Sequence, residues 1–428
     1  MAFKGWWRAL FLVRRDIGQL VEAIRAGQMS LLRNSHPDSF RQAQSQGKVA
    51  AHAAAEFGSS ESLEIIAEVA PDTLGLGDQK GTTPAWLAAW KGNDNCLRII
   101  AQTAPASLGK DSGDVSPALA PAMEGYTECL RILAEHAPET LSRESASIDG
   151  ATPAHMAAQQ GHADCLEIIA TSAAPTLSRS NAKGATPGFL AAYHDHADCL
   201  RVIARTTPLA LSKACPQGTP AFVAAFKGHM ECLQVIADAS NPSLEVADEQ
   251  GRIAAHGAVI GGCVDALRFI AQRCPDSLSA TMHTGLTPAF IAAENGEEKC
   301  LEFLAKVVPC SLLLRNDQGL GPVEAARRSR KTQCAELIEP IVTRLSKEAE
   351  QAEVQQLSAE NVDIEKTSAD GLTRLHHACR DGLCTLAEKL IQMGLDVNAT
   401  SSEGLTPLHL ACSAGHVAVA KLLFPHYS

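Results

Sequence analysis

Two histidines and two cysteines near the carboxyl end of the chain have the side chains best suited to metal chemistry. They are His376, His377, Cys379 and Cys384. Imidazole and thiolate groups are preferred zinc ligands in proteins. Their spacing here follows neither C-x-x-C nor H-x-x-x-H, two pairings that structural zinc sites use. The sequence therefore predicts no metal site, and no other motif in it indicates a cofactor.

Residue patterns that carry out catalysis are missing from the sequence. It contains no G-x-x-x-x-G-K-S/T loop for nucleotide phosphates, no H-E-x-x-H helix and no G-x-S-x-G turn. A basic run at residues 327–331, RRSRK, could serve nuclear import or phosphorylation, but short basic motifs arise often by chance and we favour solvated charge. We predict that the protein is not an enzyme.

Half of the fourteen cysteines recur at one place in a repeated pattern, just before a leucine in all but the last of these copies. They are Cys96, Cys129, Cys165, Cys199, Cys232, Cys300 and Cys334. Ser62 and Ala266 occupy the same place in other copies, so the position favours a small and mildly apolar side chain. We interpret these cysteines as core residues that stay reduced in the cytoplasm or nucleus, rather than as disulfide partners.

The charge balance argues against nucleic acid as a partner. The formal net charge is −11, whereas binding to phosphates needs a basic face. No apolar run reaches the roughly 18 residues that a transmembrane helix requires. We predict a cytoplasmic protein, with the nucleus and the membrane periphery as alternatives.

The elements that position all of these residues are copies of one unit. GTTPAWLAAWKGNDNCLRIIAQTAPASL, at residues 81–108, returns with changes from Gly150, Gly184, Gly218, Gly251 and Gly285. The aligned prolines are Pro84, Pro117, Pro153, Pro187, Pro220, Pro288 and Pro322, with Ala254 in the remaining place. A period near 33 residues with a G-x-T-P start predicts a solenoid of stacked helix-turn-helix units.

Each position of the unit has a local physical role. Thr83 can cap a first helix, and Pro84 suits its first turn, where no backbone N–H is needed. Gly92 ends that helix, and Leu97 begins the apolar face of a second one. Pro121 falls inside the first helix of a later copy and predicts a kink or a shortened helix there.

The unit resembles the ankyrin repeat. The resemblance is clearest at residues 404–423, GLTPLHLACSAGHVAVAKLL. The copies from Gly81 to Gly319 depart from the family: they have Ala for Leu after the proline, often an aromatic residue for His, and A-P-x-x-L for G-A-D-V-N. The resemblance implies an all-α ankyrin-repeat solenoid with a helical connector before the last two repeats.

The pattern divides the chain into five segments. We predict an apolar and basic segment at 1–16, capping helices at 17–46, a first array at 47–333, a helical connector at 334–366 and two C-terminal repeats at 367–428. For residues 1–15, MAFKGWWRALFLVRR, the alternatives are a helix packed over the end of the solenoid, an amphipathic helix on a membrane surface, an organelle presequence and a partner-binding helix.

The resemblance also assigns individual residues. His376 takes the place of a structural histidine and Cys379 that of an alanine, which weakens the case for zinc. Leu390, Asp396, Val397 and Asn398 match the L-x5-D-V-N pattern that asparaginyl hydroxylases recognise, so Asn398 is a candidate modification site. The alternative is that Asn398 only braces the turn between repeats through hydrogen bonds.

Ankyrin arrays bind partners with their turn tips and with the concave face of the first helices. Near the end of those helices, large apolar residues recur at Phe57, Trp90, Met123, Tyr193, Phe226 and Ile260, which we call the apolar column. Its polar neighbours are Lys91, His194 and Lys227. An apolar stripe with polar neighbours is typical of a contact surface. The alternative is that these side chains lean onto neighbouring helices and are buried.

Trp86, Phe189, Phe222 and Phe290 replace the family's structural histidine, and we predict that they pack inside. The sequence as a whole predicts a monomeric, non-catalytic scaffold or adaptor that binds a segment of another protein on its concave face. The alternative function is a membrane-apposed adaptor anchored through residues 1–15.

Overall fold

A computed structural model describes residues 15–44, 46–359, 367–368 and 370–426. The described residues form α-helices joined by turns and short 3-10 helices, without a β-strand. This confirms the predicted all-α solenoid of stacked helix pairs. Contacts divide the chain into two units, Met1–His283 and Thr284–Ser428.

Within the described residues, the first unit begins with three short helices and continues with repeated pairs. The opening helices are α1 (Ile17–Arg25), α2 (Met29–Arg33) and α3 (Pro37–Arg41). The first helices of the pairs are α4 (Ala50–Phe57), α6 (Pro84–Lys91), α8 (Leu119–Glu124), α10 (Pro153–Gln160), α12 (Pro187–Tyr193), α14 (Pro220–Lys227) and α16 (Ala254–Ile260). The second helices are α5 (Ser60–Val69), α7 (Asp94–Thr103), α9 (Thr127–His136), α11 (Ala163–Ala173), α13 (Ala197–Thr206), α15 (Met230–Ala239) and α17 (Val264–Arg273).

The predicted local roles account for the boundaries of these helices. The Thr83 hydroxyl accepts a hydrogen bond from the Trp86 N–H at 3.1 Å, and Pro84 occupies the first turn of α6. Gly92 ends α6 with a φ of 73°, in the left-handed region that glycine adopts without strain. Pro121 lies within α8, which spans only six residues, so the predicted shortening is confirmed.

The core lies between the paired helices and their neighbours in the stack. In the first pair of full consensus type, Leu97 and Ile100 of α7 are fully buried together with Ala88 and Ala89 of α6. The cysteine that precedes the leucine is buried in every copy that has one, as predicted for a core residue. None of the fourteen cysteines, all of which lie in the described part of the chain, forms a disulfide.

Polar side chains also link one repeat to the next. His52 Nε2 lies 2.9 Å from the carbonyl oxygen of Thr82, and His155 Nε2 lies 3.1 Å from that of Ala185. In each case the acceptor lies thirty residues further along the chain, in the following repeat. Because each buried imidazole links two neighbouring repeats, hydrogen bonds as well as apolar packing hold the repeats together.

The second unit contains one further pair of helices, a first helix that is followed by a long helix, and the last two repeats. Its helices are α18 (Pro288–Asn295), α19 (Glu298–Val307), α20 (Pro322–Arg328), α21 (Thr332–Ala359), α22 (Arg374–Asp381), α23 (Cys384–Gln392), α24 (Pro407–Ser413) and α25 (Val417–Leu423). The 28-residue helix α21 is the predicted helical connector. Its Glu350 carboxylate accepts a hydrogen bond from the Leu386 N–H at the start of α23.

Candidate partner-binding face

The apolar column lies at the carboxyl ends of first helices, all within the first unit. Phe57, Tyr193 and Ile260 are the last residues of α4, α12 and α16, and the other members lie just before the end of theirs. The helix must stop at this point because a tight turn to the second helix follows. Each side chain therefore lies next to a tight turn. Five of the six stand two residues before the left-handed residue of that turn, whereas Phe57 stands one residue before it.

The side chains of the apolar column differ in how far they are covered. Three are exposed: Phe57 by 43%, Tyr193 by 42% and Phe226 by 38%. The other three, Trp90, Met123 and Ile260, are half-buried. None of the six is fully enclosed in the core, so each leaves part of its apolar surface in water.

On three helices the column residue packs against an aromatic residue one turn earlier, with the rings stacked in two pairs and tilted by 30° in the Phe189–Tyr193 pair. The ring-centroid distances are 4.7 Å for Trp86–Trp90, 6.2 Å for Phe189–Tyr193 and 6.4 Å for Phe222–Phe226. Residues four apart lie on the same side of a helix. The ring one turn earlier, which we call the inner ring, therefore supports the ring of the column residue, which we call the outer ring. Phe189, Phe222 and Phe290 are buried, which confirms the prediction that they pack inside.

Trp86 is half-buried and does more than fill space. Its indole N–H donates a hydrogen bond to the carbonyl oxygen of Val115, in the next repeat, at 2.9 Å. This is the same kind of link between repeats that His52 and His155 make. The sequence analysis did not foresee it, although an indole is the one aromatic side chain at this place that carries an N–H donor.

Lys227 and His194 surround the exposed ring of Tyr193. The Lys227 ammonium lies 4.0 Å from the centroid of that ring, in a cation–π contact between adjacent repeats. The His194 ring meets the Tyr193 ring edge-on, with centroids 5.0 Å apart. Lys91, beside Trp90, is exposed, and it makes no ion pair within the part of the chain that the structure describes.

The electrostatic environment of His194 disfavours its charged form. Partial burial lowers the pKa of His194, and the nearby His196, Lys227 and His229 lower it further. His196 Nε2 and His229 Nδ1 lie 3.0 Å and 2.9 Å from carbonyl oxygens of the preceding repeats, those of Gln159 and Ala192. These two histidines link repeats, a role that the sequence analysis missed.

Asp195 is the third feature of this site that the sequence analysis missed. It occupies the place where the neighbouring repeats have Gly161 and Gly228, and its φ of 64° lies in the left-handed region. Its carboxylate accepts a hydrogen bond from the Cys232 thiol at 3.4 Å and lies 4.0 Å from His229 Nδ1. The alignment of repeats contained the signal, since only this copy has an aspartate where the turn calls for glycine.

Comparison with known proteins identifies the family of the repeats. A family model described as ankyrin repeats in three copies matches residues 118–210 and 345–428. The chain contains ankyrin repeats. The crystal structure of the human ASB11 ankyrin repeat domain matches with 23% sequence identity and a TM-score of 0.43, over 52% of this chain and 97% of that one. No curated protein sequence matches.

Ankyrin repeats generally mediate protein–protein interactions and are typically non-catalytic modules. In this ankyrin-repeat protein, no group of three or more His, Cys, Asp or Glu side chains among the described residues could hold a metal ion. His376 instead binds within the fold, with Nδ1 2.8 Å from the Thr373 hydroxyl and Nε2 3.0 Å from the Leu405 carbonyl oxygen.

Asn398 and the first residues of this ankyrin-repeat protein remain subjects of prediction. Asn398 is half-buried in the turn before α24, and its backbone N–H donates to the Asp396 carboxylate at 2.9 Å. Residues 1–15, for which a membrane-surface helix is one alternative, fall outside the described residues except for Arg15. Within the described part, no helix is long and apolar enough to cross a membrane.

Proposed function

We propose that this ankyrin-repeat protein is a non-catalytic scaffold or adaptor that binds a segment of another protein along the apolar column. The observation that carries the proposal is the exposure of Tyr193 and Phe226 at equivalent places in adjacent repeats. Each stands on a buried aromatic ring that fixes its direction. Exposed aromatic side chains held rigidly lose little entropy on binding and are the usual hot spots of interfaces.

The competing explanation is that the apolar column only completes the packing of the array. Packing alone accounts for Phe189 and Phe222, which are 5% exposed. It does not account for the outer rings, which retain about two-fifths of their surface in water and lie outside the core. Apolar area left in solvent contributes little to folding, because stabilisation follows the area that is removed from water.

The test compares the double variant Tyr193→Ala/Phe226→Ala with a matched variant outside the face. Leu209 suits this control because it is 83% exposed on the 3-10 turn Pro208–Ser212. Biotinylated protein would capture cross-linked partners from a cytoplasmic extract, with quantification by mass spectrometry. We expect the double variant to lose roughly tenfold or more of the partner signal, and Leu209→Ala to retain it.

Thermal unfolding of the same variants separates binding from folding. Both altered rings are exposed, so the melting temperatures of all three proteins should agree closely. If the double variant captured the same proteins in the same amounts as the unaltered chain, the apolar column would not be the binding face.

The proposal includes a cytoplasmic, monomeric protein with reduced cysteines, and Asn398 as a site of hydroxylation. The buried cysteines of the array, which form no disulfide among the described residues, support a reducing compartment. Mass spectrometry of peptides containing Asn398, from protein isolated from its own cells, tests the modification. An added oxygen atom on that residue is expected, and an unmodified Asn398 in cells with an active hydroxylase would contradict it.

A further inference from the structure

The ends of the first helices around Tyr193 and Phe226 carry a basic side chain and no carboxylate, whereas the chain as a whole is acidic. The sequence has 48 acidic residues and 37 Lys and Arg residues. Four successive repeats place residues 159–160, 193–194, 226–227 and 260–261 at the end of their first helices, and these positions hold one lysine and no carboxylate. We call Tyr193, His194, Phe226 and Lys227 the aromatic–basic patch.

The ammonium group of Lys227 has no carboxylate partner. Lys227 makes no ion pair with any residue that the structure describes. Its ammonium group instead makes a cation–π contact with the Tyr193 ring. Cations nearby in the same unit are paired: Arg252 binds the Asp248 carboxylate at 2.6 Å, and Arg201 binds Asp198 at 2.5 Å. Lys227 therefore keeps donors available at the edge of exposed apolar surface.

The adjacent carboxylate, that of Asp195, forms no ion pair with Lys227 or His194 in the part of the chain that the structure describes. Asp195 follows His194, but its left-handed backbone directs the chain into the next helix. Its carboxylate is engaged by the Cys232 thiol at 3.4 Å and lies 4.0 Å from His229 Nδ1. The local charge complementary to an incoming anion is thus carried by Lys227, with His194 beside it as a further donor.

We infer that the partner segment is both acidic and apolar: a large apolar side chain lies against Tyr193 and Phe226, and an Asp or Glu beside it binds the Lys227 ammonium. This inference rests on the proposed function, since it specifies the chemistry of a segment on the same face. Helices that pack 8–10 Å apart place the four repeats over roughly 30 Å, which an extended segment of about ten residues would span. A cation beside an apolar surface favours acidic partner segments, because it repels a segment that brings a basic residue to the same place.

The experiment uses a display library of random ten-residue peptides as the probe and the full chain as the bait. We expect the selected peptides to combine Leu, Ile, Phe or Met with Asp or Glu. Selection on Lys227→Glu should replace the acidic residues with Lys or Arg, and selection on Tyr193→Ala/Phe226→Ala should lose the enrichment altogether. The charge-matched control is Lys80→Glu on an exposed loop, which should leave the selected composition unchanged.

One selected peptide is then measured by fluorescence anisotropy. Lys227→Met keeps an aliphatic stem against Tyr193 and removes only the charge, so affinity should fall by about three- to tenfold, whereas Lys80→Met should not change it. The affinity for the unaltered chain should also fall as salt is raised.

The outcomes separate this inference from the proposed function. If peptides selected on the unaltered chain need Phe226 but carry basic or uncharged residues, the face binds partners and the inference is wrong. The same holds if Lys227→Glu selects acidic peptides. If no peptide is enriched relative to Tyr193→Ala/Phe226→Ala, the proposed function fails together with the inference.

Discussion

The indole N–H of Trp86 donates to the carbonyl oxygen of Val115 at 2.9 Å, and so ties one repeat to the next. Elsewhere in the chain the same link is made by a histidine, as in the pairs His52–Thr82 and His155–Ala185. Tryptophan and histidine, although different in shape, therefore both provide a hydrogen-bond donor that reaches the backbone of the following repeat. Where phenylalanine occupies the place, burial of the ring replaces the bond.

The first prediction concerns this bond. Trp86→Phe removes the donor and leaves the Val115 carbonyl without it, so the free energy of unfolding should fall by about 1–2 kcal/mol. Trp86→His should recover part of that loss, because imidazole makes the link in other repeats. Urea denaturation followed by circular dichroism measures both. Equal stabilities for the Phe and His variants would show that the bond contributes nothing.

The second prediction concerns pH. Burial lowers the pKa of His155 to about 4, below the ordinary value of about 6.5 in an unfolded chain. Between these values the unfolded state binds more protons, so stability is retained above pH 6.5 and is lost as the pH falls towards 4. From pH 7.5 to pH 5 this one group should remove about 2 kcal/mol from the free energy of unfolding.

The control for the pH effect is His155→Gln. This variant will start from lower stability, because it loses the bond to Ala185, but its stability should decline less with acidification. Urea denaturation at both pH values gives the two slopes. If stability declined equally with pH in the variant and the unaltered protein, the pH dependence would belong to other groups. One such group is His52, because burial also lowers its pKa.

The third prediction concerns the contact between α14 and α16. A Cβ atom on Gly261 would overlap the carbonyl oxygen of Phe226, because the two helices approach closely at this point. Gly261→Ala should therefore cost roughly 1–3 kcal/mol and displace Phe226 from its place in the column. Gly75→Ala is the matched control, since nothing lies within 4 Å of its added methyl group. Thermal unfolding compares the two, and equal melting temperatures would contradict the prediction.

The fourth prediction concerns the long helix of the second unit. The buried carboxylate of Glu350 accepts the Leu386 N–H at 2.8 Å and so caps α23 from a distant part of the chain. Glu350→Ala should cost about 1–2 kcal/mol locally and speed hydrogen exchange at the amide of Leu386. Glu350→Gln retains an acceptor oxygen and should have a smaller effect. Unchanged exchange at Leu386 in the alanine variant would show that the cap is dispensable.

The repeats, their all-α fold and much of their interior were predictable from the sequence because those features depend on local spacing. Proline, threonine and glycine mark helix ends wherever they recur, and the apolar places of Leu97 and Ile100 follow from the period of a helix. The burial of Phe189, Phe222 and Phe290 followed from the place they occupy in the unit. The resemblance of residues 404–423 to a known family supported the same conclusion.

The surface of the candidate site was decided by tertiary structure, because it depends on residues thirty or more positions apart. The repeat pattern placed Tyr193 and Phe226 in one column, but how far each ring is covered depends on the neighbouring unit. The position of Lys227 over Tyr193, the engagement of Asp195 by Cys232 and the close approach at Gly261 are all contacts between repeats. The sequence period specifies the helices of each repeat. The distance and the angle between neighbouring repeats are set by contacts between the side chains of both repeats, which the sequence of one repeat does not reveal.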